Sequence, residues 1–194
     1  MGVKGIRLTA TNHSGEAALD LAKAGKHQEV IAILEEAIAA KKVLDDAGRA
    51  ICGAAREGDM AKLRPLVQKW SGNKHVLNWE NAGGFGYFPL YIASLNGHAD
   101  AVQRLVDTPG VDANKVDGEG WTAIMPAAHY GHPNIVRVLL AVPGIDLNKR
   151  ATDKVYKGLT ALRIAMWRDA WHGDEQWARK QECAVLLRAA GAQK

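Results

Sequence analysis

The chain has 194 residues, 47% of them hydrophobic, with 25 Lys and Arg against 21 Asp and Glu. That is enough apolar material for a continuous folded core and too balanced a charge for a disordered tail. No window approaches the roughly 18 uninterrupted apolar residues of a membrane span, the opening MGVKGIRLTATNHSG lacks the apolar core of a secretion signal, and two cysteines make no disulfide framework; a cytoplasmic protein is expected, with the nucleus as the alternative.

Residues 1–13 read as a lead-in. Met1-Gly2 is no acylation site, because Ile6 stands where Ser or Thr is needed, and the Asn12-His13-Ser14 sequon is a chance match in a chain with no secretion signal. Residues 14–45 are expected to be helical, with Leu19, Ala22, Val30, Ile33, Leu34 and Ile38 at core spacing. A second unit over 49–81 carries Ala54-Ala55, then Gly58-Asp59 as a break, then Leu63, Leu66 and Val67 on a second helix. Its connection over 69–78, containing KWSGNKH, is polar and turn-forming and is expected to be loose.

The unit at 83–116 opens on Phe85-Gly86-Tyr87-Phe88-Pro89-Leu90 and continues into Ala93-Ser94. Residues 117–150 are the most complete unit. Asp117-Gly118 and Glu119-Gly120 make a tight turn, and Thr122 offers a hydroxyl where a helix starts. Ala123, Ile124, Ala127 and Ala128 recur at helical spacing until Gly131 stops the helix. Pro133 opens a second helix striped by Ile135, Val136, Leu139 and Leu140, which ends at Pro143-Gly144. The last unit, 152–192, restores the turn at Gly158-Leu159-Thr160-Ala161-Leu162. It is stretched by about nine residues around WRDAWHGDEQWARK, and longer last helices that cap the core are expected.

Shifted by 34 residues, Gly86, Ala93, Gly97-His98, Pro109-Gly110, Asp112 and Asn114 fall on Gly120, Ala127, Gly131-His132, Pro143-Gly144, Asp146 and Asn148. A period in this range signals a solenoid. These residues resemble the ankyrin repeat, with its Gly-x-Thr-Pro-Leu turn, Ala-Ala helix, Gly-His break, Leu-Leu ending and final Asp-x-Asn. The resemblance implies an all-α ankyrin-repeat solenoid of about five helix-turn-helix repeats with short hairpin-like turns, in a single domain over 1–194. Residues 14–45 would be a degenerate first repeat, with a tetratricopeptide-type helix pair as the alternative. One departure is consistent: where the family has His after Pro-Leu, the best repeats have Tyr91, Met125 and Arg163, which removes a hydrogen-bond network between repeats.

Nothing in the spacing gathers titratable groups for catalysis, and no cofactor is expected. Gly83-Gly84-Phe85-Gly86 lacks the lysine and the strand-to-helix setting of a phosphate loop. His129 and His132 are separated by the helix-breaking Gly131, and with His132 (like His98) in the structural Gly-His position no metal site is expected. The resemblance instead implies a protein or peptide partner on the concave face, formed by turn tips and the free side of each first helix. Motif positions place Phe85, Tyr87, Leu95 and Asn96 there, then Glu119, Trp121, His129 and Tyr130, then Tyr156, Lys157, Leu159, Trp167 and Arg168. Trp121 and Trp167 are the central positions, occupying places the repeat does not need for packing, although turn-tip aromatics can also pack on the next tip.

Two other readings stand beside this one. Residues 149–194 carry ten Lys and Arg against five Asp and Glu, leaving about −1 for the rest. That basic end, with Trp167, Trp171 and Trp177 as stacking platforms, would suit a nucleic-acid-associated protein. A regulatory or inhibitory subunit of an enzyme differs from the first reading only in its partner. The expectation is a monomeric, non-enzymatic interaction module, with neither nucleic acid nor a membrane as partner.

Overall fold

A computed structural model describes residues 17–81, 84–168 and 173–193. Among these residues there are ten helices: α1 (Ala18–Ala24), α2 (Gln28–Glu57), α3 (Met60–Lys69), α4 (Lys74–Leu77), α5 (Pro89–Leu95), α6 (Ala99–Val106), α7 (Ile124–Tyr130), α8 (Pro133–Leu140), α9 (Ala161–Ala165) and α10 (Asp174–Ala189). The chain forms two compact units, Met1–Asp46 and Ala47–Lys194. No turn separates the expected first and second repeats at 45–49, because α2 runs unbroken through that stretch. Neither a proline nor a turn pair interrupts it there, and the helix carries Gly48 where a Cβ would come within 2.3 Å of Trp79.

In the first unit, α1 ends at Gly25 and turns through Lys26, whose φ is +56°. Lys26 N and His27 N close the turn on the carbonyls of Lys23 and Ala22. Ala22 is buried, whereas Val30 and Ile33, expected in the core, are exposed, Ile33 to 66%. The reason is one of reach: α1 has seven residues, about 10 Å of helix, and covers only a short part of the apolar stripe of α2.

In the second unit the helices pair as the repeats predict. α5 packs on α6, α7 on α8 and α9 on α10, while α5, α7 and α9 form one layer and α6, α8 and α10 the other. Alanines at 93, 127, 128 and 165 let the first-layer helices approach, and Val102, Leu105, Val136, Leu139 and Leu187 fill the space between layers; all are fully buried. Burying such side chains contributes about 1.5–3 kcal/mol each for the larger ones. Gly86, Gly120 and Gly158 occupy equivalent turns with φ of +74°, +77° and +79°, a region closed to most side chains.

Two ladders of polar bonds tie successive repeats together. Asn78, Asn114 and Asn148 each accept from the backbone of the next unit, at Asp112 N, Asp146 N and Gln193 N. Asn78 and Asn114 also donate to the carbonyls of Gly110 and Gly144, both at 2.8 Å. The second ladder is made of histidines. His98 Nε2 donates to Arg56 O at 2.9 Å and His132 Nε2 to Leu95 O at 3.3 Å, each ring lying against the glycine of the preceding break, Gly58 or Gly97.

The connection at 69–78, expected to be loose, is anchored. It contains α4, capped by Asn73 and burying Val76 and Leu77, and Gly72 N donates to Pro109 O at 2.6 Å. The polar KWSGNKH hides the two apolar residues that follow it. Of the expected longer last helices, only α10 is long, with 16 residues against eight in α6 or α8, while α9 has five. α10 packs against α7, α8 and α9 through Cys183, Ala184 and Leu187. Lys180 is also fully buried, its ammonium donating to Trp167 O at 2.6 Å. Cys52 and Cys183 are free and buried, and burial pushes both thiols up to about 12.

Candidate concave-face interface

Each turn that bears the site is a small hairpin with a backbone bond across its base. Asn81 N donates to Tyr87 O, Asp117 N to Trp121 O, and Ala151 N to Leu159 O. The tips are then stitched to each other: Gly118 N donates to Phe85 O at 2.8 Å and Thr152 N to Glu119 O at 2.7 Å. Asp117 Oδ1 accepts from Glu119 N and Trp121 N, and Asp153 Oδ1 accepts from Val155 N and Tyr156 N. These carboxylates satisfy turn amides that would otherwise lack partners, so they set the tip geometry. The last turn is longer than the one before it, and its extra residues include Tyr156.

On this frame the aromatic side chains form two groups. Phe85, Tyr87 and Tyr91 stack in series, with centroids 5.6 and 4.7 Å apart. Tyr156 lies edge-on to Trp121 at 5.2 Å, His129 at 5.3 Å and Trp167 at 6.1 Å, while Tyr130 meets His129 at 4.7 Å. The structure thus brings together Trp121, His129, Tyr130, Tyr156 and Trp167 from three separate stretches of chain. Phe85, Tyr130 and Trp167 present 54%, 41% and 44% of their surface to solvent.

Trp121 departs from expectation. It is 7% exposed, not free of packing, because the longer last turn folds Tyr156 against its ring and Asp153 Oδ2 accepts from its indole N–H at 2.7 Å. It packs within the tips and forms part of the floor of the face. Leu95 is half-buried with its carbonyl engaged by His132, and exposed Asn96 donates to Ile92 O. Leu159 closes the last hairpin, and Lys157 is exposed on that turn. Arg168 is turned toward Asp174 at 3.4 Å and lies over the Trp177 ring at 5.3 Å. Trp171 lies outside the described residues.

The electrostatics of the tips are negative. Burial holds the Asp117 carboxyl above its ordinary range, with Asp153 and Glu80 adding to the effect. Glu119 is also raised, first by burial and then by Asp117 and Asp153. For Asp153, burial is outweighed by the hydrogen bonds from Tyr156 N and the Trp121 indole, and its carboxyl is lowered. Tyr87 and Tyr91 are raised by burial and by the charge of Asp117. An open groove of about 590 Å3 runs between the last two tips, with Glu119, Asp153, Trp121, Tyr156 and Lys154 in its wall. Sequence reasoning missed Tyr91, Asp117 and Asp153 as parts of this site. Tyr91 stood out only as the residue replacing the family histidine, Asp117 looked like an ordinary turn former, and no motif marked Asp153.

The family model described as ankyrin repeats (3 copies) matches residues 51–151 and again 92–171. The chain belongs to the ankyrin-repeat family. No curated protein matches it. Ankyrin repeats are in general protein-interaction modules, and no helix among the described residues is long and apolar enough to cross a membrane. Where Met125 stands in place of the family histidine, the buried Thr122 Oγ1 has no hydrogen-bond partner among the described residues. Beside Arg163, Thr160 Oγ1 donates instead to Gln193 O at 2.9 Å. At the turn after Gly86, Phe88 stands in place of the threonine and Tyr91 of the histidine, and the two rings lie 5.8 Å apart. No group of three or more metal-ligating side chains occurs among the described residues, and burial holds the bonded His132 ring below its ordinary value.

Proposed function

We propose that this ankyrin-repeat chain is a non-enzymatic interaction module whose protein or peptide partner lies along the concave face of repeats three to five. The observation that carries it is the arrangement of Phe85, Tyr130 and Trp167. Three large aromatic side chains stay roughly half exposed while resting on a layer of rings beneath them. An exposed, supported aromatic surface contributes contact area at small entropic loss, which is why Tyr and Trp dominate interface hot spots. A regulatory subunit would use the same surface and differ only in what it binds.

The nucleic-acid reading is less well supported by the geometry. Arg168 and Trp177 are occupied with each other, and the carboxylates at the tips oppose phosphate. The test is substitution of the exposed rings. Trp167→Ala and Tyr130→Ala should each weaken partner capture at least tenfold, in keeping with truncation of interface aromatics, while moving the thermal midpoint by no more than about 3 °C. Capture that survives both changes in a folded protein rejects this face.

A further inference from the structure

Resting on that proposed face, we infer that the segment it accepts is basic: an extended stretch of Lys- or Arg-bearing chain whose cations meet Glu119 and Asp153 and lie over Tyr130 and Trp167. The first support is charge complementarity. The protein as a whole carries a net charge of +4, yet three carboxylates, Asp117, Glu119 and Asp153, are collected in two adjoining tips. The charges acting on Glu119 are those of Asp117 and Asp153, both negative. Lys154 and Lys157 are exposed on the last turn, and neither forms an ion pair with these carboxylates among the described residues.

The second support comes from Asp117. It is more than nine-tenths buried, and while Oδ1 is held by two turn amides, Oδ2 has no hydrogen-bond partner among the described residues. An acceptor oxygen left unsatisfied beneath the tips favours a segment that brings donors over one that brings further acceptors. The third is the placing of the protein's own cations. Arg49, Lys69, Lys115 and Arg168 lie over Trp79, Trp70, Phe88 and Trp177, whereas among the described residues none lies over Tyr130 or Trp167. A ring face beside carboxylates attracts a cation through both its quadrupole and their charge. Phosphate would meet the opposite field.

The test is selection of random displayed peptides on the intact, immobilised protein, followed by binding measurements on the winners. Winners rich in Lys and Arg, weakened about tenfold by Glu119→Lys and less by Glu119→Gln, and weakened by Trp167→Ala, are the expected result. Among the described residues the Glu119 side chain makes no hydrogen bond, so both variants should melt with the parent. Winners lost on Trp167→Ala but neutral or acidic, and indifferent to Glu119→Lys, would overturn the basic-partner inference and leave the face intact. Winners indifferent to both Trp167→Ala and Tyr130→Ala would overturn the face and this inference together. Single-stranded RNA displacing the selected peptides from Trp167 would also overturn it.

Discussion

Replacing Trp121 by alanine separates a packing role from a contact role, because the structure assigns this residue to the floor of the face. A buried tryptophan removes about 200 Å2 from water, which at about 25 cal/mol per Å2 sets an upper bound near 5 kcal/mol. The site opens onto a groove and can relax, so the loss should lie near the low end for such truncations, about 3 kcal/mol. The indole bond to Asp153 accounts for part of it. Trp121→Phe, which keeps a ring against Tyr156 and deletes that bond, should lose about 1.5 kcal/mol. For a repeat unit of this size about 3 kcal/mol corresponds to a fall of roughly 6–12 °C in the thermal midpoint, read by circular dichroism or calorimetry. Trp167→Ala in parallel should shift it by no more than about 3 °C. A Trp121→Ala protein that melts within about 2 °C of the parent would refute the assignment and return Trp121 to the exposed surface.

Thr122→Val removes a buried hydroxyl that has no partner among the described residues and should raise stability by about 1 kcal/mol in denaturant titration; a loss would mean that the hydroxyl is satisfied in solution. Asn114→Ala deletes the bonds to Gly144 O and Asp146 N and should lower stability by about 2 kcal/mol, with faster amide exchange at Asp146. His132 is held below its ordinary 6.5, so the stability it confers is complete above that pH and is lost as acidification carries the folded protein through its depressed value. His132→Phe should flatten the fall in thermal midpoint measured below pH 6.5. Asp117 has the opposite sign: a raised acid favours folding below its ordinary value and disfavours it as the pH climbs through the raised one, so Asp117→Asn should raise the midpoint at neutral pH.

The repeat architecture was legible because its determinants are local. Gly86, Gly120 and Gly158 had to be equivalent once their flanking motifs recurred, and they are. Gly-His and Asp-x-Asn were visible as recurring motifs, but that their side chains bond across to the neighbouring unit was not. The misreadings arose where one element decides the fate of another. Trp121 occupies a position that a regular repeat leaves open, but the longer neighbouring turn swings Tyr156 and Asp153 over it, and that conformation is not local to Trp121. In α2 the expectation of a repeat boundary overrode a plain helical pattern with no breaker at 45–47. The same pattern put Val30 and Ile33 in a core that seven residues of α1 do not supply. At 69–78 the turn-forming residues outweighed Val76 and Leu77, which are the anchors. The concave-face list mixed exposed rings with those that hold them because spacing along a repeat gives direction but not cover.

The central claim is that partners engage the first-layer helices and tips of repeats three to five. The most direct measurement is an amide chemical-shift map of the labelled protein titrated with a peptide selected on it. The account predicts shifts at Phe85, Tyr87, Glu119, Tyr130, Tyr156 and Trp167, with α6 and α8 on the opposite layer unmoved. Shifts centred on α6 and α8, with the tips silent, would contradict it.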